Sequence, residues 1–358
     1  MKRALLDATA EELTAWMTGR GHPSYRARQV VRWVFDHRAE SFDRMSDLPR
    51  GLRSELDTEW TVFETEIAHH HVSPDGTDKL LLRCRDGKTI ECVLMAEADR
   101  RTVCISTQVG CGMGCVFCAS GLKGVERNLS TGEILEQVLR LRNLLPPDDR
   151  LTNLVVMGMG ESLANLDRLI PALDRLCSPE GLNFGQRRVT ISTVGLPEKM
   201  RKLAELDRQY HLAVSLHAPT PRLRDELVPI NAKVGLDAVM QAADAYFHRT
   251  GRQVTFEYVL LADLNDRPED AEALGALLSG RKAHVNLIPY NPVAGLPYRR
   301  PSAEAVRRFE RIVSGRGVSV SVRKTKGREI DAACGQLRRR LQADAGPEPG
   351  AVALIGQP

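Results

Sequence analysis

The chain has 358 residues, of which 42% are hydrophobic and 27% are charged, with a net charge of +4 at pH 7. This composition is typical of a globular protein with one large domain and one smaller domain. No run of eighteen apolar residues and no basic-then-apolar leader is present, so we expect neither membrane insertion nor secretion. Three of the eight cysteines lie within eight residues, which argues against a disulfide framework and favours a reducing cytoplasm.

Residues 1–60 predict a small helical domain. Apolar residues recur there at helical spacing, and Pro23 and Pro49 interrupt the pattern. Residues 61–96 are different, because apolar and polar residues alternate on both sides of Asp86-Gly87. This alternation is typical of a β-hairpin, which we expect to connect the helical domain to the rest of the chain.

Residues 97–335 alternate between strand-like and helix-like runs. Six β-then-α units predict parallel strands joined by right-handed crossovers, with strands near 103–107, 154–157, 189–193, 212–216, 254–261 and 285–289. The fold class is therefore α/β, either a partial barrel or a doubly wound sheet. Both architectures place function at the carboxyl ends of the strands. Residues 336–358 predict the end of a basic helix and a loosely held tail.

The most informative motif is a loop with three cysteines, Cys111, Cys115 and Cys118, in the spacing C-x3-C-x2-C. Four thiolates would close a metal site, whereas three leave one coordination position open, which indicates catalysis. The loop could hold zinc completed by a distant ligand, carry redox thiols, or hold a [4Fe–4S] cluster with one free iron. Zinc ribbons usually have two cysteine knuckles and this sequence has no second one, so we favour the cluster.

The same spacing is similar to that of radical S-adenosylmethionine (SAM) enzymes, in which SAM chelates the fourth iron. In that setting the run 158–161 (GMGE), directly after the second strand, resembles a site for the SAM ammonium group. Its glycines let a ligand approach the backbone, and Glu161 can pair with a cation. Alone, the run would fit a plain turn. Four more polar residues stand near later strand ends, where each by itself would more often be a cap: Ser192, Ser215, His217 and Asn291.

Two further cysteines, Cys104 and Cys334, lie outside the loop. Each alone could be an inert small apolar residue. The glycine and cationic neighbours of Cys334 favour an accessible thiolate. Cys334 lies in a basic segment, 316–340, which could contact phosphate groups or be a solvated helix and turn. The remaining cysteines sit in apolar patterns and are interpreted as packing residues: Cys84, Cys92 and Cys177.

Over about residues 10 to 340 the chain resembles the RlmN/Cfr family of radical SAM RNA methyltransferases. The motifs occur in that family's order and spacing at 25–30, 42–45, 104–118, 124–128, 158–161, 188–192, 214–218, 227–231, 257–261, 288–291 and 323–336. The resemblance implies a radical SAM partial (β/α)6 barrel with a helical accessory domain. Cationic and aromatic residues of that domain could contact RNA, or form the solvated face of a helix: Arg26, Arg28, Arg32 and Trp33.

The resemblance also implies roles for single residues. Cys111, Cys115 and Cys118 would hold one [4Fe–4S] cluster. SAM would be bound by Gly160, Glu161, Ser192, Ser215, Leu216, His217 and Asn291. One SAM would methylate Cys334, and a second would be cleaved to a 5′-deoxyadenosyl radical that removes hydrogen from this methyl group. The resulting radical would attack an adenine carbon, and Cys104 would release the product by forming a disulfide with Cys334. Glu91 matches the family's proposed proton acceptor.

The predicted function is methylation of C2 of an adenine at the peptidyl transferase centre of 23S rRNA, with an anticodon-adjacent adenine of tRNA as a further substrate. Two alternatives stay open: C8 methylation of the same rRNA adenine, as in Cfr, and a non-catalytic zinc protein that binds RNA. Ser162 stands where the family usually has proline, which leaves the RNA target and the methylated carbon open. Expected partners are RNA, a low-potential electron donor such as flavodoxin and a thiol reductant, and we expect a cytoplasmic monomer.

Overall fold

The structure is a computed structural model that describes residues 2–323 together with Gly327 and Ile330. The strands of this part are β1 (Arg3–Ala4), β2 (Trp60–Thr61), β3 (Glu66–Ser73), β4 (Thr77–Arg83), β5 (Thr89–Glu97), β6 (Arg100–Cys104), β7 (Gln108–Gly110), β8 (Val125–Asn128), β9 (Asn153–Val156), β10 (Val189–Thr193), β11 (His211–Ser215), β12 (Val254–Leu260), β13 (Ala283–Pro289) and β14 (Ser319–Val322). The helices are α1 (Ala10–Gly19), α2 (Tyr25–Phe35), α3 (Arg50–Glu59), α4 (Thr131–Asn143), α5 (Leu166–Cys177), α6 (Pro197–Glu205), α7 (Pro221–Leu227), α8 (Asn231–Val234), α9 (Leu236–Thr250), α10 (Pro268–Leu278) and α11 (Ala303–Gly315).

One large sheet organises the molecule. Within the described part of the chain it has ten strands in the order β14-β13-β12-β11-β10-β9-β6-β5-β4-β3. The strands from β6 to β14 in this series pair in parallel, and their order rises without a reversal. A doubly wound sheet would reverse its order at a switch point. The order therefore decides between the two predicted architectures in favour of the partial barrel.

Six βα units precede the last strand, as the sequence predicted. The apolar faces of α4, α5, α6, α9, α10 and α11 contribute to one continuous hydrophobic core, which also contains the apolar residues of the parallel strands. The sequence patterns missed α6, α7, α8 and β14. Helix α6 is mostly polar and starts with Pro197 in its first turn, while α7 and α8 are short, so none of them has a long apolar period.

An antiparallel extension continues the sheet beyond β6. It contains the predicted hairpin strands, β4 and β5, and also β3, which pairs with β4 and forms the edge of the sheet. Most side chains of β3 are exposed or only partly buried, so the strand lacks the apolar alternation that revealed its neighbours. The residues between the helical part and the barrel therefore extend the barrel sheet.

The amino-terminal helices dock on the barrel through both ends of α4. The Asp7 carboxylate accepts the Gly132 N–H at 2.6 Å and the Ser130 hydroxyl at 2.9 Å, so it satisfies donors at the positive end of the helix dipole. Beyond the other end, the Arg38 guanidinium donates to the Leu145 carbonyl at 2.6 Å. These bonds hold the helical part against the sheet face that α4 covers. No helix of the described residues is long and apolar enough to span a bilayer.

Candidate active site

The carboxyl ends of the parallel strands open into one cavity with about 1030 Å³ of empty space, including its open mouth. The cysteine loop, the loop after β9 and the ends of β10 to β13 form its walls. Most of the predicted site residues line it together: Cys111, Cys115, Cys118, Gly160, Glu161, Ser192, Ser215, His217 and Asn291.

The cysteine loop is closed by a small antiparallel ladder. Strands β7 and β8 pair on either side of it, and the Cys111 N–H donates to the Gly124 carbonyl at 3.0 Å. Strand β7 separates the cysteine loop from β6, the first strand of the barrel. A tight turn, in which the Cys118 N–H donates to the Cys115 carbonyl at 3.1 Å, orients the last two cysteines. The loop is therefore held at its base and turned towards the cavity.

The three thiols lie close enough to influence each other. Burial, together with the charges of the neighbouring Cys118 and Glu161, raises the pKa of Cys111 to about 12. Burial also raises the pKa of Cys115, with Cys118 and Cys111 acting in the same direction. Thiolates in this place therefore need a compensating positive charge, which a bound iron–sulfur cluster supplies. The described residues contain no group of three His, Cys, Asp or Glu side chains placed around a single metal ion; a cluster differs in taking each thiolate on a separate iron.

Glu161 is a buried carboxylate at the cavity wall. It accepts the Val194 N–H at 2.8 Å and the Leu163 N–H at 3.1 Å, and its own N–H donates to the Gln108 side chain at 2.8 Å. Burial raises the pKa of Glu161, while its hydrogen bonds oppose this shift. A carboxylate held by N–H groups in a buried site fits an ammonium ligand, because the ligand supplies the missing positive charge.

His217 is held in an unusual backbone conformation beside the cysteine loop. Its φ is 60°, and its carbonyl accepts the Asn265 side-chain amide at 2.8 Å. The ring lies edge-on to Phe117, with the ring centroids 4.9 Å apart, and Nδ1 accepts the Val259 N–H at 3.1 Å. Burial, together with the positive charge of Arg224, lowers the pKa of His217 to about 3. The ring is therefore neutral, with Nε2–H available as a donor.

Polar groups from three strand ends complete this wall. The hydroxyls of Ser192 and Ser215 lie 3.5 Å apart on the adjacent strands β10 and β11. The side-chain oxygen of Asn291 accepts a hydrogen bond from Arg300 at 3.0 Å. Leu216, which the resemblance places among the SAM contacts, is not in the cavity lining; its side chain is buried in the core and its N–H donates to the Glu257 carbonyl at 3.0 Å.

Cys104 and Glu91 lie beside the cavity and not in its lining. Their side chains lie on the same face of the sheet. Cys104 in β6 is paired with Val93 in β5, and Val93 shares a face with Glu91, two residues away on the same strand. Cys104 is 7% exposed and packs with Val93 and Met159. The Glu91 carboxylate lies 3.4 Å from the Lys79 ammonium, and both side chains are at most 3% exposed. Cys334 lies outside the described residues, as does most of the basic segment around it.

Several lining residues were not predicted as site residues, among them Thr193, Val194, Glu257, Tyr290 and Arg323. Glu257 is the most informative, since it is a buried carboxylate in β12 that accepts the Asn286 side-chain amide at 2.8 Å. Burial raises the pKa of Glu257, and the positive charge of Arg323 acts in the opposite direction. A glutamate inside an otherwise apolar strand was a usable signal, because such a residue is rarely buried without a role.

Comparisons with known proteins agree with this geometry. The model described as "Ribosomal RNA large subunit methyltransferase N-terminal domain" matches residues 3–62, and the "Radical SAM superfamily" model matches residues 105–274. A probable dual-specificity RNA methyltransferase RlmN of Rhodopirellula baltica is 54% identical over 94% of this chain and 91% of that protein. One of Symbiobacterium thermophilum is 45% identical over 95% and 92%.

A crystal structure of a radical SAM methyltransferase from Sphaerobacter thermophilus superposes with a TM-score of 0.91, at 45% identity, covering 94% of this chain and 99% of that one. The superfamily match implies a [4Fe–4S] cluster and SAM as cofactors, and the cavity has donors suited to both. Full-length identity to these relatives shows that the chain belongs to the RlmN family of radical SAM RNA methyltransferases.

Proposed function

We propose that this chain methylates C2 of an adenine in 23S rRNA and of an anticodon-adjacent adenine in tRNA. The relatives whose names describe dual-specificity RNA methyltransferases support the two classes of RNA. One observation carries the chemistry: a single cavity gathers three thiols, the buried Glu161 and the polar strand ends. An adenine carbon bearing hydrogen is a poor nucleophile, so its methylation requires chemistry that side chains alone do not supply.

The cavity residues divide into two sets under this proposal. Cys111, Cys115 and Cys118 hold one [4Fe–4S] cluster, and Glu161 pairs with the ammonium group of SAM. The other polar groups bind the remaining parts of SAM, among them the His217 Nε2–H donor and the two serine hydroxyls. When bound, the cluster and two SAM molecules per turnover supply the one-electron chemistry and the methyl group. The protein positions the reactants and excludes water.

Cys334, Cys104 and Glu91 would move the methyl group and the proton. In this proposal Cys334 carries the methyl group as a thioether that becomes bonded to the adenine carbon, and Glu91 accepts the adenine proton. The Cys104 thiolate then attacks the Cys334 sulfur, so that an S–S bond forms as the S–C bond breaks. The electron pair of the broken bond passes to the methyl carbon of the RNA, which takes up a proton. The Ser106 hydroxyl connects Glu91 to the run 158–161, which is part of the proposed SAM site. It donates to the Glu91 carbonyl at 2.7 Å and accepts the Met159 N–H at 2.8 Å.

The positions of two described residues after β14, Arg323 and Gly327, support a role for Cys334. Arg323, directly after this strand, lines the cavity. Four residues later, the Gly327 N–H donates to the Asp75 carboxylate at 2.7 Å, at the turn between β3 and β4. Arg323 therefore lies at the cavity and Gly327 at the antiparallel extension, seven residues before Cys334 in the sequence.

The remaining parts of the proposal concern partners and organisation. We assign RNA contact to residues 1–60, connection to 61–96, catalysis to 97–335, and the basic end and tail to 336–358. A low-potential electron donor such as flavodoxin would reduce the cluster, and a thiol reductant would reopen the disulfide. Thiol chemistry of this kind fits a reducing compartment, so we propose a cytoplasmic location. We also propose that the protein is a monomer.

Nucleoside mass spectrometry tests the proposed regiochemistry. The chain is expressed in a host that lacks its own adenine-C2 methyltransferase, and 2-methyladenosine is expected in both 23S rRNA and tRNA. Cys118→Ala should abolish the product, whereas Cys177→Ala, at the carboxyl end of α5 and outside the cavity lining, should not. Appearance of 8-methyladenosine would support the C8 alternative, and absence of both nucleosides would refute the proposal.

A further inference from the structure

A fully buried arginine lies behind the cysteine loop. Arg224 is in the middle of α7, and its exposed fraction is 0%. Helix α7 contacts the loop directly, because the Leu227 carbonyl accepts the Val116 N–H at 3.2 Å. Val116 directly follows Cys115, a predicted cluster ligand. The hydrogen bond therefore joins the helix that carries Arg224 to the loop that carries this ligand.

The guanidinium donates only to neutral acceptors among the described residues. It bonds the carbonyls of Leu216 at 3.1 Å and Ser215 at 3.2 Å, and it also bonds the Val194 carbonyl and the Asn231 side-chain oxygen. These acceptors satisfy its N–H groups and leave its charge uncompensated. A buried cation without a bonded carboxylate is costly, which calls for an explanation.

Two negative groups act on the charge of Arg224, and one of them belongs to the cysteine loop. Burial lowers the pKa of Arg224 to about 10, so the group stays cationic at neutral pH, and the Cys115 thiolate and Asp225 oppose this lowering. Asp225 is exposed and reaches Arg224 only through Asn231, whose amide donates to it at 2.6 Å. Water screens an exposed carboxylate. The cysteine loop is therefore a buried place where negative charge faces this cation.

We propose that Arg224 is the fixed counter-charge of the thiolate-bound cluster and raises its reduction potential. The inference rests on the proposed function, since it requires the cluster to be held by Cys111, Cys115 and Cys118. A low-potential one-electron donor adds one negative charge to the cluster during reduction. A buried cation nearby stabilises the reduced form more than the oxidised form, and local charge is one determinant of cluster potentials. Arg224 thus acts on the cluster through its positive charge and does not contact the reacting atoms.

A purely structural role for Arg224 makes a different prediction. If the residue only ties α7 to the ends of β10 and β11, its loss would lower stability without a defined effect on the potential. The midpoint potential of the reconstituted cluster separates the two roles, and it is measured by anaerobic redox titration monitored by electron paramagnetic resonance. Iron and sulfide content is determined on the same samples.

The titration compares three changes. Arg224→Met should shift the reduction equilibrium against the reduced cluster by about tenfold or more, which is ~59 mV for a one-electron couple. Arg224→Lys keeps the charge and should stay close to the wild-type potential. Arg142→Met is the control, because Arg142 is also buried but bonds the carbonyls of Val34 and Phe35 at the docking site of the amino-terminal helices.

A double variant tests the same idea if Arg224→Met fails to fold. Asn231→Asp combined with Asp225→Asn exchanges two hydrogen-bonded side chains and moves the carboxylate next to Arg224 without changing the total charge. It should also lower the potential. Unchanged potentials in both Arg224→Met and the double variant, or in the double variant alone when Arg224→Met does not fold, would overturn the inference. A wild-type protein that binds no iron and sulfide would instead contradict the proposed function.

Discussion

Replacing Gly160 by alanine tests how closely the loop after β9 is packed. Gly160 has a φ of +102°, and a Cβ atom there would lie 2.6 Å from Gln108 Cβ and 2.8 Å from the Gln108 nitrogen. Gln108 is held in place, because its side chain accepts the Glu161 N–H at 2.8 Å and donates to Asn128 at 2.7 Å. The clash therefore cannot be relieved by a side-chain rotation alone.

The size of the effect follows from two terms. A side chain in the left-handed region costs roughly 1–2 kcal/mol, and an overpacked site adds roughly 1–3 kcal/mol. The free energy of unfolding should therefore fall by roughly 2–5 kcal/mol in Gly160→Ala. Gly87→Ala is the matched control, since Gly87 has a φ of +77° and no atom within 4 Å of the added Cβ. It should lose only the strain term, about 1–2 kcal/mol.

Urea unfolding of the cofactor-free protein measures both variants. A second readout is SAM affinity of the reconstituted protein by equilibrium dialysis, which should weaken in Gly160→Ala because Glu161 is the next residue and moves with the loop. Gly87→Ala should bind SAM normally. Equal losses of stability in the two variants, together with equal SAM affinity, would refute the packing argument.

Three further outcomes are expected. His217 stays neutral in the folded protein because its pKa is lowered there, whereas in the unfolded chain it takes up a proton below its ordinary pKa of 6.5. Its contribution to stability is therefore complete above pH 6.5 and is lost as the pH falls towards about 3. His217→Asn, which keeps an acceptor for Val259, should therefore show a shallower loss of unfolding free energy over this range, by up to about 1.4 kcal/mol per pH unit in urea titrations. Asp75→Ala removes the acceptor for the Gly327 N–H and should slow methyl transfer to RNA while iron content stays normal, as measured by methylation assay and iron analysis; unchanged transfer would argue against this anchor. Cys104→Ala should accumulate a covalent protein–RNA adduct on denaturing gels, and release of free methylated RNA at the wild-type rate would count against a role for Cys104 in product release.

The sequence located the catalytic end of the barrel because its signals are local. The cysteine spacing and the glycines before Glu161 act over a few residues, and parallel strands bring their carboxyl ends to one edge. Most predicted site residues accordingly line one cavity. Leu216 shows the limit of this reasoning, since it lies between two cavity residues, Ser215 and His217, yet its own side chain is buried in the core.

Other features depend on contacts between distant parts of the chain. The Lys79–Glu91 pair forms across two adjacent strands, and Arg224 meets the cysteine loop only after β10, β11 and α7 are assembled. A single lysine among leucines, or one of the two arginines of a short helix, carries no periodic signal. The edge strand β3 was missed for a related reason, because its exposed side chains show no apolar alternation.

Isotope tracing through the methyl group tests the central claim most directly. Reconstituted protein is incubated anaerobically with 23S rRNA, an electron donor and SAM that carries a fully deuterated methyl group. The product nucleoside is then analysed by mass spectrometry. We expect 2-methyladenosine that retains two of the three deuterium atoms, since one is removed from the methyl group while it is bound to Cys334. A product that retains all three deuterium atoms, or no methylated adenosine at all, would contradict it.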